Sequence, residues 1–168
     1  MKKFELTTEF ITNAFGKKLF RIKALVEFGD VKAGELGGYV EKEGNVSQAG
    51  NAWVYGNARV YGDARVYGNA EVSGNAEVYG DARVCGNAWV YGNADYALVQ
   101  GFGTEFRCTT FYRGKNKKIM VNCGCFHGDL ERFRKQVKET RNGKIAKEYL
   151  MIADLMEYHF TSEDSSDE

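Results

Sequence analysis

The chain has 168 residues, and its 23 Lys and Arg are balanced by 23 Asp and Glu, so no overall charge directs it to a polyanion or a polycation. Its 11 Phe, 10 Tyr and 2 Trp exclude a disordered composition. Proline is absent while 20 glycines are present, so the turns must be built from Gly, Asn and Asp.

The first ten residues, MKKFELTTEF, are not typical of a signal peptide, because Glu5 and Glu9 interrupt any apolar run. No stretch approaches the ~18 consecutive apolar residues of a membrane helix. We therefore expect a cytoplasmic protein that does not contact a membrane. In that compartment we expect reduced thiols at all four cysteines, Cys85, Cys108, Cys123 and Cys125.

Residues 1–37 contain two runs rich in β-forming residues, FELTTEFIT and KKLFRIKALV, joined by NAFG. They predict a β-hairpin followed by a loop, GDVKAGELGG, that feeds the next segment. A hairpin here would cap the open end of whatever sheet structure follows, since an exposed sheet edge invites aggregation.

Residues 38–97 are repetitive. Glycine recurs every six residues from Gly38 to Gly92, and most units read G-[ND]-A-x-V-x. The A-x-V-x part alternates like a short strand with one buried face, and the Gly-Asn or Gly-Asp pair is typical of a corner. Six-residue units predict a parallel β-helix. The spacing resembles the left-handed hexapeptide-repeat β-helix, so we expect a mainly β fold with about three triangular coils.

Residues 18 apart should stack in such a helix, which puts Trp53, Tyr55, Trp89 and Tyr91 on one outer face. Two interpretations remain open. In the first, the aromatic side chains have a structural role: they reinforce strand pairing or lie under a flanking segment. In the second, they form an interface, since Trp and Tyr dominate binding hot spots. Self-association into a dimer or trimer is the first form of interface that we expect. The predicted interface residues are Trp53, Tyr55, Tyr61, Tyr67, Tyr79, Trp89 and Tyr91.

Many proteins with left-handed β-helices are acyltransferases, and some are carbonic anhydrases that hold zinc with three histidines. In both groups the catalytic histidines lie on the coils. Here His127 and His159 are the only histidines, and both lie outside the repeat. We therefore expect a non-enzymatic protein without a cofactor.

Residues 98–160 predict a small ββαα module. Two strands flank a polar turn at 114–118, and a helix follows with Asp129 as its N-cap and Gly143 at its end. A second amphipathic helix reads KIAKEYLMIADLMEYHF. Residues 161–168, TSEDSSDE, predict a disordered acidic tail.

Three cysteines and one histidine form a weak candidate zinc set in this module: Cys108, Cys123, Cys125 and His127. The spacing is unfavourable, because residues four apart on a strand are separated by ~13 Å. Buried thiols are the simpler interpretation. A nucleophilic Cys125–His127 pair is weaker still, since no third orienting group is evident.

The module also carries a local excess of positive charge. Two interpretations of this charge are open. It is the ordinary charge of a helix surface, or it forms a patch that binds nucleic acid or an acidic partner surface. No recognised nucleic-acid motif accompanies it. The residues of this predicted patch are Lys115, Lys117, Lys118, Arg132, Arg134 and Lys135.

Three stretches together resemble a known family: LFRIKALVEFGDVKAGELGGYVEKEGNVSQAGNAWVYGNARVYGDARV, CGCFHGDLERF and AKEYL. They are similar to phage and prophage hexapeptide-repeat proteins, often labelled polymer-forming cytoskeletal proteins or proteins of unknown function. The resemblance implies a small accessory protein in a bacterial host cytosol, of a kind that often antagonises host defences.

The resemblance, the aromatic face and the basic patch together favour one hypothesis. The chain is a binding protein that occupies the surface of another macromolecule, for instance a CRISPR effector nuclease. The first alternative is an oligomeric sponge for a small anionic signal such as a cyclic nucleotide, with pockets lined by Arg59, Tyr61 and Arg65. The second alternative is a self-assembling structural protein.

Overall fold

The computed structural model describes residues 1–162. Its N-terminal part contains the predicted hairpin, in which strands β1 (Phe4–Thr12) and β2 (Lys18–Ala24) pair antiparallel. A third strand, β3 (Leu36–Val40), pairs antiparallel with β2 on one side and parallel with the repeat strand Arg59–Val60 on the other. The hairpin therefore extends one face of the repeat structure and covers its N-terminal edge.

Seven two-residue strands form the repeat structure, and all of their pairs are parallel. The strands are β4 (Trp53–Val54), β5 (Arg59–Val60), β6 (Arg65–Val66), β7 (Glu71–Val72), β8 (Glu77–Val78), β9 (Arg83–Val84) and β10 (Trp89–Val90). With β3 they lie in three sheets, in the orders β3-β5-β8, β4-β7-β10 and β6-β9. The arrangement is a β-solenoid, as the six-residue period predicts.

The first turn of the solenoid departs from the spacing of 18. Val54 pairs with Val72, and Val72 with Val90, but Val40 pairs with Val60, which is 20 residues away. The glycine period hides this change, because valine follows glycine by two residues at Val40 and by four at Val54. Val46 bridges Val66, also 20 residues away, so the two extra residues lie between Val46 and Val54.

Alanine and valine of each unit point inward and fill the solenoid, with every such side chain from Ala52 to Val90 fully buried. The corners depend on glycine. Gly74 has a φ of +62°, and a Cβ there would collide with the carbonyl oxygen of Tyr91. This corner therefore requires a glycine in the left-handed backbone conformation.

The C-terminal module has four strands where two were predicted. Strands β11 (Tyr96–Phe102), β12 (Arg107–Arg113), β13 (Ile119–Cys123) and β14 (Phe126–Asp129) form one antiparallel sheet in that order. Strand β11 begins inside the last six-residue unit, after a short 3-10 turn at Asn93–Asp95, so the repeat pattern obscured it. Strand β14 has only four residues, too few for a visible alternation.

Two helices, α1 (Leu130–Thr140) and α2 (Gly143–Thr161), pack on this sheet. The predicted N-cap is confirmed, because Asp129 Oδ1 accepts a hydrogen bond from the Arg132 amide at 2.9 Å. Helix α2 runs to Thr161, inside the segment predicted as an acidic tail, and the remaining tail prediction lies outside the described residues. Neither helix in residues 1–162 combines the length and apolarity needed to cross a membrane.

Candidate functional site

The turn between β12 and β13 is attached to the last rung of the solenoid. Gly114 forms a β-bridge with Ala88, and the Lys115 amide donates to the Asn87 carbonyl at 3.0 Å. The Lys115 ammonium also pairs with Glu71 at 2.6 Å. These contacts fix the polar turn at 114–118 beside the outer face of β10.

Two large aromatic side chains stand exposed next to this turn. Trp89 is 48% exposed and Tyr91 is 64% exposed. Together with Arg113 and Lys117 they line an open cavity of about 490 Å³, and we call these four residues the Trp89 surface. Trp89 and Tyr91 of the predicted aromatic face therefore lie beside Lys117 of the predicted basic patch.

Asp95 organises the Trp89 surface. One carboxylate oxygen accepts hydrogen bonds from the amides of Tyr91 at 2.9 Å and Gly92 at 3.0 Å. The other oxygen accepts from Arg113 Nε at 2.9 Å, and the Arg113 guanidinium lies 5.4 Å from the ring centre of Phe160. Because these contacts order the surface before any partner arrives, association would cost less conformational entropy.

Lys117 contributes a positive charge to this surface. Its φ of +63° is left-handed, which is uncommon for a residue with a side chain. Its amide donates to the Gly114 carbonyl at 2.9 Å, which closes the turn. Across residues 1–162 its ammonium has no carboxylate within ion-pair distance.

Trp53 occupies the outward repeat position predicted for it, in register with Glu71, but it is not exposed there. Its side chain is fully buried and packs edge-to-face against Phe4, with ring centres 5.9 Å apart, and Phe28, at 5.3 Å. The N-terminal segment covers this rung, while the equivalent rung at Trp89 stays open. Of the two interpretations of the aromatic residues, burial under a flanking segment applies to Trp53.

The predicted tyrosines divide in the same way. Tyr61 is buried, donates to Glu77 at 3.1 Å and stacks on Tyr79 with ring centres 5.2 Å apart. Tyr55 and Tyr67 are half-buried, and burial raises the pKa of each to about 12. Tyr79 is 47% exposed, but it lies on another face of the solenoid from Trp89.

The predicted basic patch is largely neutralised by acidic side chains from other elements. Only Lys117 and Arg132 of its six members have no ion pair in the described part of the chain. The pairs of the other four are Lys115–Glu71 at 2.6 Å, Lys118–Asp129 at 3.7 Å, Arg134–Asp154 at 2.9 Å, Arg134–Glu157 at 2.7 Å and Lys135–Glu139 at 3.9 Å.

The four candidate zinc ligands are not gathered into one site. Cys123 accepts a hydrogen bond from Thr109 at 3.1 Å, Cys125 is exposed, and His127 turns toward the solenoid. No three His, Cys, Asp or Glu side chains of residues 1–162 lie close enough to share a metal ion.

His127 instead belongs to a polar network between the solenoid and the module. Its Nδ1 lies 3.0 Å from Asn122 Oδ1 and 3.5 Å from the Cys85 sulfur. A Cys-His-Asn triad would use both ring nitrogens, one for each neighbour. Here both neighbours meet the same nitrogen and Cys85 is only 5% exposed, so the network fastens two parts of the fold together.

Sequence reasoning missed this network, although one signal was present. Most outer positions after valine carry Tyr, but the ninth strand is followed by Cys85. The smaller side chain admits the Tyr112 hydroxyl to within 3.5 Å of its sulfur. Ser73 breaks the repeat at the same position, so the sequence alone does not tell which break marks the docking point of the module.

The fold and these surfaces define a repeat β-solenoid protein that carries a C-terminal sheet-and-helix module. The chain matches the family model described as YdcK beta-solenoid repeat over residues 52–68 and 76–92. Both segments lie inside the stacked strands, so the match concerns the repeat and leaves the flanking modules aside. A search of curated proteins gives no match.

Proposed function

We propose that the chain is a non-enzymatic binding protein that holds a partner protein through the Trp89 surface. One observation carries the proposal: Trp89 and Tyr91 are 48% and 64% exposed, and they flank a cavity beside Lys117. Tryptophan and tyrosine are enriched at the centres of interfaces, where burial of their rings supplies most of the binding energy.

The composition of the surface indicates the chemistry of the partner. The cavity of about 490 Å³ would accept an apolar or aromatic side chain of the partner. Lys117 adds a positive charge at the rim that no carboxylate of residues 1–162 neutralises, whereas Arg113 is already paired with Asp95. A partner with an apolar knob beside an acidic group fits this arrangement.

The resemblance to phage and prophage proteins supports the finer part of the proposal. We infer that the chain acts in the cytoplasm of a bacterial host and that its partner is a host defence protein, for instance a CRISPR effector nuclease. We also propose that the solenoid is left-handed with about three coils, which the hexapeptide spacing supports.

A discrete dimer or trimer remains our proposal for the oligomeric state. The described solenoid ends are covered, by the β1–β2 hairpin at one side and by β11 and β12 at the other. Covered ends disfavour growth by edge-to-edge pairing. Light scattering of the purified chain should give one mass that does not change with concentration, whereas growing particles would support the self-assembling alternative.

The other surfaces proposed from the sequence receive less support. Arg59 pairs with Glu77 at 3.4 Å and Tyr61 donates to the same carboxylate, so neither is available to line an anion pocket. Arg134 on the basic helix pairs with two carboxylates. The proposal therefore does not include nucleic acid bound along this helix.

Site-specific photo-crosslinking tests the Trp89 surface. A benzophenone amino acid placed at position 89 or 91 should crosslink one partner protein in host cells, and mass spectrometry would identify it. The control is the same amino acid at Tyr158, which is 71% exposed on α2. Equal crosslinking from position 158, or none from 89 and 91, would contradict the proposal.

A further inference from the structure

Two arginines stack on neighbouring rungs of the third solenoid face. Arg65 of β6 pairs in register with Arg83 of β9, about 4.8 Å away along the stack. Like charges directly opposite each other are destabilising. On the next face the same rungs carry a matched pair, in which Arg59 faces Glu77 at 3.4 Å.

A third arginine approaches this pair from the C-terminal sheet. Arg107 lies over Gly124, where a Cβ would collide with its guanidinium. Gly124 has a φ of +59°, so a glycine suits both the backbone and the close approach. None of Arg65, Arg83 and Arg107 forms an ion pair with another residue of the range 1–162.

These arginines line two adjoining cavities of about 630 and 480 Å³, which share Tyr67 and Arg83 as a common wall. We call Arg65, Tyr67, Arg83 and Arg107 the arginine face. Each cavity also holds one carboxylate, Glu43 in the larger and Asp81 in the smaller. Glu43 is already paired with Lys2 at 2.7 Å, so among residues 1–162 Asp81 alone faces the three guanidinium groups, and a net positive charge remains on the face.

The chemistry of the arginine face points to a phosphorylated ligand with a planar ring. Guanidinium groups bind phosphate with two parallel hydrogen bonds, and stacked arginines lose their mutual repulsion when an anion lies between them. The half-buried Tyr67 ring and the 66% exposed Phe106 ring stand beside them. Phe106 has a left-handed φ of +49°, which is uncommon for a bulky residue.

We propose that the arginine face binds a nucleotide, with the arginines on its phosphate and Tyr67 or Phe106 against its base. The cavity volumes are those of small-molecule sites. The site lies away from the Trp89 surface, so the two proposals stand or fall separately.

Calorimetric titration of the full chain at low salt tests the site, with the four ribonucleoside 5′-monophosphates and inorganic phosphate as probes. At least one nucleotide should bind at least tenfold more tightly than phosphate. Arg83→Gln should weaken that binding at least tenfold. The matched control is Arg59→Gln, which removes an arginine from the same outward position on another face and should leave the affinity unchanged.

Arg65→Glu is expected to raise thermal stability while it abolishes nucleotide binding. The introduced carboxylate would face Arg83, in the way that Glu77 faces Arg59, so the melting temperature without ligand should rise by about 1–3 °C while nucleotide binding is lost. A fall in melting temperature would contradict the argument from like charges.

Four results would overturn the proposal. Equal affinity for phosphate and for every nucleotide would leave a phosphate site without base recognition. Binding of a 20-nucleotide single strand but of no mononucleotide would assign the face to nucleic acid instead. No heat with any probe, or full affinity in Arg83→Gln, would remove the site.

Discussion

Arg113 and Asp95 join the C-terminal sheet to the end of the solenoid, with 2.9 Å between Arg113 Nε and Asp95 Oδ1. The other oxygen of the same carboxylate holds the Tyr91 amide, also at 2.9 Å. One side chain therefore fastens the module and positions part of the Trp89 surface. The joint between the two parts and the proposed interface therefore both involve Asp95.

Asp95→Ala should lower the free energy of unfolding by about 1–3 kcal/mol, because it removes the acceptor for two amides and one guanidinium. Urea unfolding measures this change as a lower midpoint with an unchanged slope. The control is Asp63→Ala, since Asp63 is exposed and its one ion pair within residues 1–162 is with Lys42 at the surface. A midpoint for Asp95→Ala equal to that of Asp63→Ala would contradict the role of Asp95.

Trp53→Ala and Trp89→Ala should differ in their effect on stability, although both tryptophans occupy the same repeat position. The first substitution empties a fully buried site and should cost about 3–5 kcal/mol. The second removes a half-exposed ring and should cost at most about 1 kcal/mol. Denaturant unfolding compares them directly, and equal losses would show that the N-terminal segment does not cover Trp53.

Gly74→Ala should destabilise the solenoid more than Gly56→Ala, by about 1–2 kcal/mol. Both glycines have left-handed φ values, +62° and +57°, so both substitutions carry the same backbone strain. Only at Gly74 would the new methyl group collide with a backbone atom, the Tyr91 carbonyl oxygen, while Gly56 faces open space. Both variants introduce alanine, so the difference between their melting temperatures measures the collision apart from the backbone strain.

Lys3 should make stability depend on pH in the alkaline range. Its side chain is buried against the Ala52 carbonyl at 2.8 Å, and burial lowers its pKa from 10.5 to about 8. Below pH 8 the amine is protonated in both states. Between pH 8 and 10.5 the folded state loses the proton first, so the unfolded state binds more protons and the free energy of unfolding rises with pH.

A comparison with Lys3→Met isolates this contribution from the thiols and tyrosines that titrate in the same range. The difference between the wild-type and variant free energies of unfolding should grow by at most about 3 kcal/mol across the window. Urea unfolding at several pH values from 7 to 10.5 measures it. Parallel curves would show that Lys3 keeps an ordinary pKa.

The sequence was sufficient for the elements whose signal is local. Glycine at every sixth position predicted the stacked strands, and Asp129 before an apolar pattern predicted the start of α1. Both signals depend on residues within one turn or one rung. The strands β11 and β14 were missed because neither shows an alternation of its own.

The candidate surface was less predictable, because exposure depends on what covers each rung. Trp53 and Trp89 have the same place in the repeat, and only the path of Phe4 and Phe28 distinguishes them. The charge of the basic patch likewise depended on distant partners, such as Glu71, which is 44 residues from Lys115. Single-sequence patterns do not contain such contacts.

The most direct test of the Trp89 surface is the affinity of the crosslinked partner for the wild-type chain, Trp89→Ala and Tyr91→Ala, with Tyr158→Ala as the control. We predict at least a tenfold loss for the first two variants, which corresponds to about 1.4 kcal/mol each, and no change for the control. Less than a twofold loss for both Trp89→Ala and Tyr91→Ala would contradict the proposed interface.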